Sequence, residues 1–158
     1  MTDSLLQREI KQSRPFANLG ELVFLSLLRT SEALARGEIE LLRSRDLSFA
    51  QYNVLRILRG AGEEGLSCGE ISERMVKRDP DVTRLLDRLA NRRLVTRERR
   101  VHDRRVVTAS ITPAGLALIA ELDAPLEALH REQTAHVDDE DLRRLVDLLD
   151  RLRSPVRG

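Results

Sequence analysis

The stretch Lys77–Arg105, KRDPDVTRLLDRLANRRLVTRERRVHDRR, decides how this chain is read. It holds eleven basic residues against five acidic ones, whereas the rest of the chain holds sixteen basic and twenty-one acidic. A formal net charge of +1 therefore conceals a polarised molecule, which implies a partner with one strongly negative surface. The segment opens with Asp79-Pro80, a carboxylate at the expected N-cap and a proline at the first helical position, where its missing N–H costs nothing. Val82, Leu85, Leu86 and Leu89 recur at helical spacing and form a stripe to be buried. Pro80, Arg84, Asp87, Arg88 and Asn91 are left facing outward, with Asp81 and Thr83 on the flanks. After Leu94 the composition turns β-branched over Val95–Val101 and Val106–Ile111, around a turn at His102-Asp103-Arg104, which predicts an antiparallel hairpin.

Working outward, Ser48-Phe49-Ala50-Gln51 and Ser67-Cys68-Gly69-Glu70 each read as a capping box, in which the serine caps the helix and the residue three positions on reaches back. They predict short helices over Phe49–Arg59 and Cys68–Met75, separated by a glycine-rich turn at Gly60–Gly65, and hence a helix-turn-helix. Leucines and valines from Phe16 to Leu42 predict one long N-terminal helix, preceded by a short helix or arm. Thr112-Pro113 opens a further helix that Pro125 is expected to kink or interrupt, and Asp138–Asp141 opens a last one with acid at the positive end of its dipole. The expected fold is mainly α with a small β-hairpin wing. A winged-helix lobe over 47–112 is flanked by an N-terminal dimerisation helix or arm over 1–46 and C-terminal dimerisation helices over 113–158. Both flanks carry leucine stripes that so small a lobe covers only in part, and each apolar side chain left in water forfeits about 1.5–3 kcal/mol of burial. A twofold homodimer is expected to cover them, setting two recognition helices about one DNA turn apart as a palindromic site requires; the plainer alternative is that the terminal helices fold back into a monomeric bundle.

The bulk composition narrows the function classes. Apolar content of 41% with 34% charged residues suits an amphipathic globular protein, and only 3% aromatic residues leaves a core of leucine, valine, isoleucine and alanine. No apolar run reaches the ~20 residues of a membrane span and the N-terminus does not read as a secretory signal, so a cytoplasmic location is expected. The single cysteine, Cys68, excludes an internal disulfide and a cysteine-cluster metal site. His102, His130 and His136 form no metal-ligand pattern, and no phosphate-binding glycine loop or nucleophile elbow is present, so neither an enzyme nor a required cofactor is expected.

A helix that fits the major groove followed at once by a hairpin that reaches phosphates or the minor groove points to duplex DNA. The recognition helix is placed at about residues 80–92 and the wing at about 95–111. Arg84 and Arg88 are the candidates to contact guanine or grip phosphate, and Thr83 and Asp81 can hydrogen-bond base edges. Each has a plainer reading: the arginines pair with Asp81 or Asp87 on the same helix, Asp81 neutralises the helix N-terminus, and Pro80 is structural. Arg97, Arg99 and Arg104 are candidate phosphate contacts. The rival function is a protein-interaction or RNA-binding winged helix. Single-stranded RNA readers offer stacking aromatics, whereas Phe16, Phe24, Phe49 and Tyr52 lie in helical core patterns away from the arginines.

Taken together, the run Asp79–Leu89, the following Leu94-Val95, and Asp103-Arg104-Arg105 leading to Ile111-Thr112-Pro113-Ala114-Gly115 resemble the MarR-type (multiple antibiotic resistance regulator) winged-helix transcription factors over nearly the whole chain. The resemblance implies an obligate homodimer with interlocked first and last helices, usually a repressor, often released from DNA by a small, frequently aromatic ligand. It assigns the minor-groove arginine to Arg105, braced by Asp103. It also sets Cys68 apart, because the peroxide-sensing cysteines of that family generally lie in the N-terminal dimer region; packing is the expected role of Cys68 here.

Overall fold

The computed structural model describes residues 4–99 and 106–154. Seven helices and three strands follow the order α1 (Leu5–Glu9), α2 (Leu19–Arg43), α3 (Phe49–Ala61), a 3₁₀ turn (Gly62–Glu64), β1 (Leu66–Ser67), α4 (Cys68–Arg74), α5 (Val82–Asn91), β2 (Val95–Arg99), β3 (Val107–Ile111), α6 (Pro113–Thr134) and α7 (Asp139–Arg153). The protein is thus mainly helical with one small antiparallel sheet. No described helix is long and apolar enough to cross a membrane.

Local chemistry starts most of these elements. Both capping boxes form: the Gln51 N–H donates to Ser48 Oγ at 3.1 Å while the Ser48 N–H donates to Gln51 Oε1 at 3.0 Å. Ser67 and Glu70 repeat the exchange at 3.3 and 2.8 Å. The α2 helix begins at Leu19 rather than near Phe16, because Asn18 Oδ1 accepts the Glu21 N–H at 2.9 Å and Phe16 is drawn into the protein as a buried residue. The start of α5 also moves. Asp79, expected as its cap, instead accepts the Asp81 N–H at 2.8 Å, and Asp81 is the cap, accepting the Arg84 N–H at 3.0 Å. The two carboxylates divide the orphan donors between them, and Pro80 lies in the turn before the helix rather than in its first position. Pro125 removes one backbone hydrogen bond yet does not interrupt α6. It faces solvent, where the freed carbonyl can be hydrated, while Leu122 and Leu126 on either side are held in the core.

The sheet has the order β1-β3-β2. The expected hairpin is β2 against β3, in a register that sets Val95 opposite Ile111 and Arg97 opposite Ala109. The extra strand, β1, pairs Leu66 with Ala109 and so ties the hairpin to the start of α4. One core unites these pieces: Val54, Leu55 and Leu58 of α3, Ile71 of α4, the expected stripe Val82, Leu85, Leu86 and Leu89 of α5, Ala109 of β3, and Ile119, Leu122 and Leu126 of α6. In contrast, α7 has no buried residue.

Candidate nucleic-acid interface

The side of α5 opposite its stripe exposes Thr83, Arg84, Asp87, Arg88 and Asn91, as the sequence pattern requires, and Pro80 is exposed just before it. Arg84 projects into solvent, its side chain 76% exposed, with Nε 3.3 Å from the Asp81 carboxylate. An exposed pair of this kind contributes a few tenths of a kcal/mol, so it restrains Arg84 without preventing exchange of the carboxylate for another anion. Asp81 therefore caps the helix and holds Arg84 in the unbound protein. Arg88 is exposed and has no carboxylate partner among the described residues. Thr83 Oγ1 lies 3.9 Å from the half-buried Cys68 Sγ, where α4 meets α5.

On the hairpin, Arg99 is exposed. Arg97 is not free: its guanidinium pairs with the carboxylate of Asp87 across the gap to α5. Asp87 is accordingly taken by a strand residue rather than by Arg84 or Arg88. The wing-tip residues Asp103, Arg104 and Arg105, with His102, lie outside the described residues.

Two positioning residues, Asn53 and Arg92, escape a reading of the sequence, and a third, the expected cap Thr112, makes a further contact. Asn53, buried in α3, accepts the Val76 N–H at 2.9 Å and so anchors the turn between α4 and α5. Its one sequence signal is a lone amide among core residues. Arg92, at the end of α5, donates to the carbonyls of Arg45 and Asp46 at 3.1 and 2.5 Å, clamping the recognition helix to the chain leaving α2. Thr112 donates through Oγ1 to the Arg93 carbonyl at 2.8 Å and accepts the Gly115 N–H at 3.1 Å. A Cβ at Gly115 would stand 2.4 Å from the Leu94 carbonyl oxygen, so the threonine-x-x-glycine spacing reflects a close crossing of α6 over the end of the α5–β2 connection.

At the far side of the lobe, a cleft of about 850 Å³ opens between α2, the start of α3, α6 and α7. Leu22, Val23, Leu27, Phe49, Leu145 and Leu149 make it mostly apolar. Phe49 brings the start of α3 into its wall, while Tyr52, one turn later, is not among the lining residues. Its polar end holds Glu38, with His130 Nε2 3.6 Å from the carboxylate. Among the described residues no group of three or more His, Cys, Asp or Glu is placed to hold a metal ion.

A helix-turn-helix whose second helix exposes arginine, followed by an antiparallel hairpin, defines a winged helix-turn-helix protein. A sequence profile described as the MarR family matches residues 45–106. The chain is 38% identical to a MarR transcription factor from Planctomyces limnophilus whose crystal structure superposes with a TM-score of 0.66, covering 86% of this chain and 98% of that one. It is 29% identical over 118 residues, 75% of each chain, to the HTH-type transcriptional repressor MdtR of Bacillus subtilis (strain 168). The fold is also that of S. aureus MepR in a crystal structure with DNA, at 20% identity and a TM-score of 0.72, covering 80% of this chain and 93% of that one. The chain belongs to the MarR family of transcriptional regulators.

Proposed function

We propose that the protein is a homodimeric repressor that binds a palindromic site in double-stranded DNA, with α5 in the major groove and the wing in the minor groove. The observation that carries this reading is the exposed face of α5, where Thr83, Arg84 and Arg88 stand clear of a core that buries every apolar residue of the opposite stripe. Pro80 and Asp81 border that face, Arg99 and Arg104 add phosphate contacts, and Arg105, braced by Asp103, reaches the minor groove. The crystal structure of MepR with DNA supports DNA binding by a protein of this fold.

The segments 1–46 and 113–158 serve as dimerisation arms around the lobe. Leu145, Val146, Leu148 and Leu152 of α7 are exposed in the single chain, as are Leu19, Phe24 and Leu28 of α2. An amphipathic helix of fifteen residues with no fully buried side chain lacks most of the tertiary packing on which such helices depend, and a second copy supplies it. The apolar cleft beside α2 is the place for a small, aromatic effector whose binding releases DNA.

Sequencing the genomic fragments that the protein retains tests the whole reading. Enrichment of an inverted repeat, lost selectivity with Arg84→Ala, and a broad, sequence-independent loss with Arg105→Ala are expected. Retention of no preferred sequence, or Arg105→Ala binding the recovered site as tightly as wild type at matched salt, would overturn it.

A further inference from the structure

We propose that Arg97 is a positioning residue that acts through Asp87, the pair setting the angle of the wing against the recognition helix; this rests on the DNA-binding reading above. Side chains alternate along a strand, so Arg97 shares a face of β2 with the buried Val95, the face turned toward α5. Its side chain is 29% exposed, against 76% for Arg84, and its guanidinium closes on the Asp87 carboxylate. Arg84 lies one turn from Asp87 on the same helix, yet it pairs with Asp81. Among the described residues the Asp87–Arg97 pair is the one side-chain ion pair between hairpin and recognition helix.

The hairpin needs such a tie because only one of its strands is well anchored. β3 is central, flanked by β1 and β2, with Thr108 and Ala109 buried. β2 is an outer strand whose residues beyond Val95 are all exposed. Beyond its ladder with β3 and the buried Val95, its tilt toward α5 is restrained where Arg97 meets Asp87. A regulator that must place a helix and a wing on one duplex loses affinity if it orders their angle only on binding, so a preset angle raises affinity without a contact to DNA. A guanidinium already neutralised by Asp87 also displaces little of the counterion atmosphere, which separates this role from that of a phosphate contact.

The test measures affinity against salt for wild type, Arg97→Gln, Asp87→Asn, the double variant and Arg97→Lys. The probe is a duplex that wild-type protein selects from a random-sequence pool, and melting temperatures are recorded alongside. A strut predicts that both single variants lose about fivefold in affinity and that the double variant loses no more, since the two residues form one coupled unit. It further predicts an unchanged salt slope, unchanged melting, and substantial recovery in Arg97→Lys, which keeps a cation within reach of Asp87. A salt slope reduced by about one unit in Arg97→Gln, with Asp87→Asn binding as tightly as wild type or more so, would show a direct phosphate contact and overturn the proposal. Additive losses would overturn it as well. Failure of the wild type to select any sequence would instead overturn the DNA-binding reading, and this inference with it.

Discussion

Arg93 follows α5 in a left-handed conformation, with φ of 58°. The Leu94 N–H donates to the Leu89 carbonyl at 3.0 Å and the Arg93 N–H to the Ala90 carbonyl at 2.8 Å, a Schellman termination in which glycine is the favoured residue. A side chain in that conformation costs about 1–2 kcal/mol, and glycine returns part of the gain through its greater freedom when unfolded. Arg93→Gly should therefore raise stability by about 0.5–1 kcal/mol, readable by denaturant titration. Tyr52 offers a second test. Burial, followed by the nearby carboxylate of Glu38, raises its hydroxyl above the ordinary 10.0. The folded state then holds this proton more tightly than the unfolded chain does. Stability should be unaffected below pH 10.0 and fall as pH rises from there toward the folded-state value. Tyr52→Phe should abolish that part of the alkaline loss in melting curves taken across the range. Neither feature is legible in the sequence, because no glycine marks where α5 ends and the surroundings of Tyr52 include Glu38, distant along the chain.

Elements whose ends are made by their own side chains were the legible ones. The serine boxes of α3 and α4, Thr112 before α6 and Asp138 before α7 all cap where the sequence places them. Ser67→Ala should cost about 1 kcal/mol, and Ser67→Gly only a few tenths, in equilibrium unfolding. Where two caps compete, local pattern fails: Asp79 and Asp81 stand two residues apart, and the turn out of α4, pinned by Asn53, decides between them. β1 was missed because two residues carry no periodicity and are extended only through their pairing with β3. The crossing at Gly115 gives the sharpest test at this scale. Gly115→Ala drives a Cβ into the Leu94 carbonyl at 2.4 Å, so a loss of about 3 kcal/mol is expected, read as a marked fall in melting temperature.

For the molecule as a whole, the decisive feature is apolar surface without cover. One core closes over α3, α4, α5, β3 and α6, whereas α7 and much of α2 display leucine and valine to solvent. If a second copy covers them, Leu145→Glu with Leu148→Glu should convert the dimer to a monomer by light scattering, and weaken binding to a palindromic duplex far more than to a single half-site. A double variant that remains dimeric would remove α7 from the interface. The lobe itself should keep its helical signal, since neither residue belongs to its core.

The sequence by itself determined the class of fold, the order of the helices and the hairpin, the buried stripe of α5 and the cationic character of the segment that follows it. Those properties are set by periodicity, capping chemistry and charge, which act within a few residues. Tertiary structure alone decided which arginine is free and which is held. Arg84, Arg88 and Arg97 look alike along the chain, but Arg97 meets Asp87 only because the register of β2 turns it toward α5. The places of Asn53, Arg92 and Gly115 were likewise settled by packing between distant segments, where burial and close approach outweigh local preference.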